Sequence, residues 1–545
     1  MKYNKKDYMF LIKESTALYK ASREDNLADF PISEREKFHK NGNREDFEKL
    51  YFKRRDYLSS AAILSLFDDS YVDELEKILL GICEESLWAL PAHTTGNEED
   101  DRKIIDLFVA ETSFALAEIC TVFKDKISSD VYDRVRAEIK ARLLDNYRNN
   151  TYWWESCSMN WAAVCAGYSA GALLYLFPNE FQELKGRILK TLACYIDGFT
   201  QDGFCLEGPS YWQYGFMAYT VFADLLYRFS DGKDDLFHSE KIKKIAVYGS
   251  NSLLGVGDTA VSFSDGNMNF NPDYALQSYL CHKLPHVVPC PDSSCKSFDN
   301  SNTKWIDLYR VLIWQFSDNT SKKEKANTVY SACANQLIVN KTKYSFAFKG
   351  GHNDEPHNHN DLGSFIYSDS DGQVFCDLGS GRYTKDYFDN SKRYGIFCNS
   401  SFSHSVPIIN GMPQPYGKKF NAKIIYENNL AVCDMTNAYE ESQLSSFVRK
   451  AEIKEKGILL TDSFDFADAL SVTERFVSLR KAKSEDGVLI FGNTRMYYPA
   501  DKISLSLKEE KHTPHEYDKE DITVYCYDFL LKDGINEITF KIITE

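Results

Sequence analysis

Residues 357–380, HNHNDLGSFIYSDSDGQVFCDLGS, put imidazoles, carboxylates and a hairpin signal into one short run, and their reading decides the rest of the chain. His357, His359 and Asp361 recur two apart. In an extended strand such residues share one face, so the spacing places all three toward one cleft. The apolar run that follows reads as a hairpin with Asp371-Gly372 at the turn and Asp377 near the end of the returning strand. Folding back brings Asp377 toward His359, and His404 can complete a set of three ligands. Two imidazoles and a carboxylate suit zinc, with a fourth position open to water. Cys376 is an alternative ligand, but alternation turns it away from the Asp377 face. A lone histidine here would read as a satisfied loop residue and the aspartates as turn formers. His352, His357, His359, Asp361, Asp377, Arg382, Arg393, Tyr394 and His404 together, all within 350–414, favour a functional site.

From about Ala332 onward, on both sides of this run, the alternation continues through QLIVN, YSFAFKG, KIIYENN, LAVCDM, GILLTDSF, GVLIFG, ISLSL, DITVYCYDF and EITFKII. This predicts an antiparallel β domain of stacked sheets over 330–545. Residues 1–318 read instead as helix after helix: 72–83, 102–123, 129–146, 160–177, 180–199, 211–229 and 239–254. Ile105, Phe108, Val109, Phe114, Leu116 and Ile119 show the three- and four-residue spacing of a buried helical face. Many antiparallel helix pairs in series predict a toroid or solenoid of hairpins. No residue-level repeat is visible, which argues against a regular short-repeat array. A Pro/Ser/Asn-rich segment (284–303), a helix (305–316) and a polar run (317–327) form the junction.

The formal net charge of −16 argues against nucleic acid and against an anionic membrane surface as partners. The start, MKYNKKDYMFLIKES, lacks the apolar run of about 7–15 residues that a secretory signal needs. The apolar stretch 162–177, within the uncharged run 156–179, is shorter than the roughly 20 residues of a spanning helix. It reads as a buried helix whose Gly167 and Gly171 admit a close neighbour. The 14 cysteines then read as reduced thiols of a cytoplasmic protein. Cys290 and Cys295 lack a second pair for a zinc knuckle.

Two segments of the helical half open helices with polar and aromatic residues: Ser158-Met159-Asn160-Trp161, and DGFCLEGPSYWQYG from Asp202. Taken alone, Asn160 or Ser158 caps a helix, Pro209 sits in a first turn and Tyr211 is core. Taken with HNHNDLGSFIYSDSDGQVFCDLGSGRY and KRYGIFCNSSFSHSVPIINGMPQ, the EGPSYWQYG and NWAAVCAGY segments resemble the heparinase II/III-like polysaccharide lyases over most of the chain. The resemblance implies an α/α toroid followed by an antiparallel β-sandwich, and cleavage of uronate-containing glycans by β-elimination.

Such chemistry has three tasks. The uronate carboxylate must be neutralised so that an enolate-like intermediate is stabilised. A base must remove the adjacent C5 proton, and an acid must protonate the departing C4 oxygen. Residue by residue, the resemblance makes Asn160 the carboxylate-binding group and Tyr211 the general acid, with a second role as base left open. It makes His357 a catalytic histidine beside the metal site, and His359, Asp377 and His404 the ligands of a site-organising zinc. Arg382 and Tyr394 resemble a substrate-binding arginine and a second catalytic tyrosine of oligoalginate-type relatives. Glu207 and Trp212 share the Tyr211 motif and are expected at the substrate, with a helix-start carboxylate the other account of Glu207. Lys392 and Arg393 read as solvated surface charge.

Some relatives carry histidine directly after the site asparagine, where this chain has Trp161; that leaves the base unassigned. His93 is either a substitute from another loop or a satisfied loop histidine. The implied partner is an anionic oligosaccharide, of glycosaminoglycan type first and oligoalginate next, trimmed as short fragments. The oligomeric state is open, a homo-oligomer included. Two other classes compete. One is a glycoside hydrolase using Asp202, Glu207 or Asp265. The other is a non-catalytic glycan-binding protein with a zinc-pinned β domain.

Overall fold

The computed structural model of the chain describes residues 3–24, 32–256, 259–268, 270–291, 304–314, 326–467, 470–515 and 520–545. Its contacts form two units. One comprises Met1–Gly198, Gln213–Lys243 and Pro272–Lys322; the other comprises Phe199–Trp212, Lys244–Asn271 and Lys323–Glu545. Two segments from the helical half of the sequence therefore group with the β structure, and they carry Glu207, Tyr211 and Asp265.

The first unit is helical, with Glu45–Phe67, Val72–Glu84, Leu107–Val122, Ser129–Ile139, Asn160–Leu176 and Pro178–Asp197 among its longer elements. The expected helix over 102–123 starts only at Leu107, because Asp106 turns its carboxylate onto the N–H groups of Phe108 and Val109 and caps it. The expected helix over 129–146 is interrupted by a π-type turn at Lys140–Leu144. Helix Asn160–Leu176 is buried along almost its whole length. A Cβ on Gly167 would lie 2.9 Å from the Ala218 carbonyl oxygen, and one on Gly171 would overlap Phe114, so both glycines are needed for the close approach. Within this unit Glu118 and Arg310 are fully buried and joined by two bonds of 2.8 and 2.9 Å. Removing either partner would strand a buried charge. One cysteine expectation is corrected. The chain turns back after helix Tyr274–Lys283, bringing the Cys281 and Cys290 Cα atoms to 5.3 Å, and the two are joined as a disulfide.

The second unit is built on antiparallel sheets. A five-stranded sheet runs Asn327–Ser331, Gln336–Asn340, Ser345–Lys349, Phe365–Asp369, Gly372–Phe375. A nine-stranded sheet follows the order Lys483–Glu485, Val488–Phe491, Thr494–Tyr497, Glu537–Thr544, Gly457–Phe466, Leu444–Lys454, Leu430–Asp434, Gly417–Glu427, Gly351–Asn353. A four-stranded sheet runs Ile503–His512, Ile522–Leu531, Val472–Ser478, Pro407–Ile409. Phe346, Phe365, Phe375, Phe447, Phe476, Phe529 and Phe540, drawn from all three, share one core. This is the β-sandwich expected from the alternation. The other face of the five-stranded sheet packs Ile338, Ala347 and Ile366 against Leu254, Val261 and Phe263. That contact seats segment 244–271 beside the hairpin.

The hairpin closes as expected, with Asp369 opposite Gly372 and Gly372 at φ 103°, a value glycine reaches at little cost. Strands Leu444–Lys454 and Val472–Ser478 were not anticipated. Their inward positions include Arg449 and Glu474, which pair with each other and with Asp462 in the core, so the apolar alternation is broken. Among the described residues no helix is long and apolar enough to cross a membrane.

Candidate active site

A single carboxylate organises the site. Asp265 lies in a tight turn whose preceding residue, Ser264, has φ 65°. Its Oδ2 accepts from His357 Nδ1 at 3.0 Å and its Oδ1 from His359 Nε2 at 3.0 Å. Arg393 reaches both oxygens at 2.9 Å, and the Tyr387 hydroxyl donates to Oδ1. Burial alone would raise the pKa of this carboxyl. The Arg393 guanidinium and the two imidazole hydrogen bonds win, holding it well below the ordinary carboxylate range. Asp265 is therefore a fixed anion, and each histidine must give it a proton.

The loop carrying those histidines differs from the strand expected. Residues 354–364 form turns, and His357 sits at φ 59°, in the left-handed region. The loop is pinned by its backbone: Asp265 N–H donates to the His357 carbonyl at 3.1 Å, and Asn360 N–H to the Asn399 carbonyl at 3.0 Å. His357 and His359 thus converge on Asp265 through a turn, while Asp361 leaves them. Its carboxylate pairs with buried Lys349 at 2.7 and 2.9 Å, which corrects the reading of three side chains on one strand face.

Tyr211 occupies the first turn of helix Pro209–Phe229. Its ring stacks on His357 with centroids 4.0 Å apart and planes 19° from parallel. Its hydroxyl bonds that of Tyr383. Burial first, and then the Asp265 charge, push the Tyr211 phenol upward, so it stays protonated at neutral pH. Glu207 is buried, with Oε2 3.6 Å from His357 Nε2.

His359, Asp377 and His404 form a buried group whose ligand atoms all lie within 4.8 Å of one another. His359 Nε2 is committed to Asp265, and His404 Nε2 donates to the Cys398 carbonyl at 3.0 Å. Both rings therefore present Nδ1 as the lone-pair nitrogen. His359 Nδ1, His404 Nδ1 and Asp377 Oδ2 are buried atoms without a hydrogen-bond partner. The last two lie only 3.2 Å apart, close to the roughly 3.3 Å between two ligands on a tetrahedral zinc. Three orphaned donor atoms, each backed by a hydrogen bond on its far side, fit a metal ion. Asp377 is held by the Gly379 N–H at 2.9 Å on its other oxygen. Gly379 in turn has φ 61°, and a Cβ there would strike the Gly266 carbonyl. Cys376 points into an apolar cluster with Val477 and Cys526, as alternation predicts.

The other expected residues are distributed as follows. Tyr394 donates its hydroxyl to Asn358 Oδ1 at 2.8 Å and stacks on Tyr416 at 4.7 Å. Arg382 precedes Tyr383, its N–H donating to the Thr513 carbonyl at 3.2 Å. Asn160 opens helix Asn160–Leu176 in the helical unit and is buried. Trp212 is corrected: it is fully buried, its indole N–H is spent on the Ile245 carbonyl at 2.9 Å, and it serves the core rather than a binding face. Arg393 is corrected too, from solvated charge to the buried partner of Asp265, whereas Lys392 is exposed on Asp386 as expected. Tyr383 and Tyr387 were missed, Asp265 was weighed only as a hydrolase carboxylate, and Arg393 was named in the cluster but read as surface charge. Asp265 lies 92 positions before His357, so no spacing connects them.

No protein-family model matches the chain, and no curated protein does. Solved structures do. The structure of heparinase III is similar over 99% of this chain and 92% of its own, with a TM-score of 0.66 and 13% identity. Heparan sulfate lyase HepC from Pedobacter heparinus, as a mutant, is similar over 98% and 87%, at TM-score 0.62 and 13% identity. The Streptomyces coelicolor A3 chondroitin AC lyase in complex with chondroitin sulphate is similar over 98% and 83%, at TM-score 0.55 and 8% identity. The chain thus has the fold of these proteins, helical toroid and β-sandwich, and the likeness runs through both units.

Proposed function

We propose that the protein is a polysaccharide lyase that cleaves uronate-containing oligosaccharides by β-elimination, leaving a 4,5-unsaturated uronate. The observation that carries the reading is the Tyr211 phenol, kept protonated and stacked on an imidazole whose Nδ1–H is bound by a fixed anion. Tyr211 gives its proton to the departing C4 oxygen. His357, held in one tautomer by Asp265, presents Nε2 as the proton-accepting group toward C5. The C5–H and C4–O bonds break as the ring double bond forms, and no water is consumed. Tyr383 steadies the Tyr211 hydroxyl before transfer. Asn160 and Arg382 keep the substrate-binding roles, and Tyr394 the role of a second catalytic tyrosine, that the sequence resemblance gives them.

His359 Nδ1, His404 Nδ1 and Asp377 Oδ2 would hold zinc. When bound, the ion supplies a fixed positive charge that ties the histidine loop to the hairpin. Everything else in the reading is done by side chains.

The fold neighbours named for heparan sulfate and chondroitin make a glycosaminoglycan-type oligosaccharide the favoured substrate, ahead of oligoalginate. A hydrolase reading fits less well. Asp202 is engaged by the Thr200 and Ser331 hydroxyls at 2.6 and 2.8 Å, and Asp265 cannot serve as an acid while Arg393 holds it ionised. Incubation of purified protein with a panel of uronate oligosaccharides tests the proposal. Rising ultraviolet absorbance from the unsaturated product supports it; consumption of substrate with no such absorbance refutes it.

A further inference from the structure

Tyr383 belongs to no motif of the sequence, yet its hydroxyl meets the proton that the proposed reaction moves. The chain leaves the hairpin through Asp377 and turns at Gly379. Residues 381–383 are then fastened to a second segment: Gly381 bridges Pro514, and the Arg382 N–H donates to the Thr513 carbonyl at 3.2 Å. The Tyr383 ring is held against Tyr387 and His515, with centroids 4.8 and 4.1 Å away. Backbone and ring are both fixed, so the hydroxyl reaches Tyr211 as a preset partner and not as a swinging side chain.

Two phenols can share a hydrogen bond in either direction. The reaction removes that freedom. Once the Tyr211 proton has gone to the C4 oxygen, the Tyr211 oxygen can only accept, and Tyr383 is its one hydrogen-bond partner among the described residues. Tyr387, the next tyrosine along, spends its proton on Asp265. Burial first, and then the Asp265 charge, oppose a phenolate at Tyr211, and Glu207 adds to them. The Tyr383 hydrogen bond favours the phenolate more than the Arg393 guanidinium does, because that cation already holds both oxygens of Asp265. Burial and the Asp265 charge push the Tyr383 phenol well above its ordinary range, so it keeps its own proton and stays a donor.

We infer that Tyr383 is a positioning residue whose hydroxyl donates to the Tyr211 oxygen as the phenolate forms and stabilises it until its proton is restored. The inference deepens the proposed function and rests on its choice of Tyr211 as the acid. The Tyr211 O–H bond breaks, its proton joins the C4 oxygen, and the C4–O electron pair leaves with that oxygen. Tyr383 keeps its proton throughout, and the proton taken from C5 makes good the loss at Tyr211 between turnovers. A donor aimed at charge that exists only after transfer acts on the transition state and not on substrate binding.

Tyr383→Phe tests it on two substrates: a uronate oligosaccharide with its natural C4 glycoside, and the same uronate carrying fluoride at C4, which departs without a proton. On the glycoside, kcat should fall by about 10- to 100-fold, the weight of one hydrogen bond to a charged group, with KM and unfolding temperature unchanged. On the fluoride, the deficit should shrink to about twofold or less, because no acid is needed. Adding Tyr383→Phe to Tyr211→Phe should cost nothing further on the glycoside, since the donor acts through a proton already removed. An equal fall on both substrates, or an additive double variant, places Tyr383 in the packing alone and overturns the inference. An unchanged glycoside rate overturns it too. The two readings fail separately. Wild type that releases no unsaturated product from either substrate refutes the lyase and this role with it; unsaturated product with Tyr383→Phe equally slow on both refutes this role alone.

Discussion

Tyr211 and His357 stack face to face at 4.0 Å, with one residue at a helix start and the other in a left-handed turn 146 positions later. The stack fixes the phenol laterally while leaving its hydroxyl to Tyr383. Tyr211→Phe keeps the ring and removes only the transferable proton. Turnover should fall by about 10²–10⁴-fold, the usual weight of a general acid, with KM and unfolding temperature little changed. Loss of turnover matched by loss of fold would place Tyr211 in the core instead.

The three orphaned atoms at His359, Asp377 and His404 predict a bound metal. Protein purified without chelator should carry close to one zinc per chain by elemental analysis, and His359→Ala or His404→Ala should abolish it. Chelation should lower the unfolding temperature of wild type and leave that of His404→Ala unmoved. Equal metal content in wild type and both variants contradicts the assignment.

Asp265 and Arg393 make a buried pair whose halves are unequal to exposed ones. Asp265→Asn preserves shape but leaves the Arg393 guanidinium buried without its anion, at a cost of about 3–5 kcal/mol in denaturant unfolding. It also turns one of the two acceptor oxygens into a donor amide, so the His357 and His359 tautomers are no longer both held and activity should fall with it. Lys392→Ala, which breaks only the exposed pair with Asp386, should leave unfolding unchanged.

Glu355 gives a pH signature separate from the reaction. Burial pushes its carboxyl up to about 7, against the opposing charge of Lys349. A group whose folded value is raised favours folding while protonated. Its contribution is full below the unfolded value of about 4.3, and is lost as pH climbs through about 7. Stability should therefore decline across that window, and Glu355→Gln should flatten the profile and be the more stable protein above it. An unchanged slope in Glu355→Gln would show that the carboxyl is already ionised in the folded state.

Much of the architecture was legible because it follows from periodicity. The helix over 160–176 and the strands QLIVN and EITFKII declare themselves by spacing, and the Asp371-Gly372 turn by its residue types. The His359, Asp377 and His404 group was also readable, since a hairpin and a few nearby residues bring the three together. What failed were inferences about side chains whose setting comes from distant segments. The two-residue spacing of His357 and His359 looked like a strand, but the backbone reverses at His357 to reach Asp265. Arg393 looked solvated because its anion lies 128 positions upstream. Trp212 shared a motif with Tyr211, yet one step along a helix turns a side chain by about 100° and sends it into the core.

The most direct test of elimination is to run the reaction in heavy-oxygen water and weigh the products. The account predicts that fragment masses sum to that of the substrate, that no label enters either fragment during cleavage, and that Tyr211→Phe forms neither. A labelled oxygen at a newly made reducing end, with one water gained per bond broken, would contradict it.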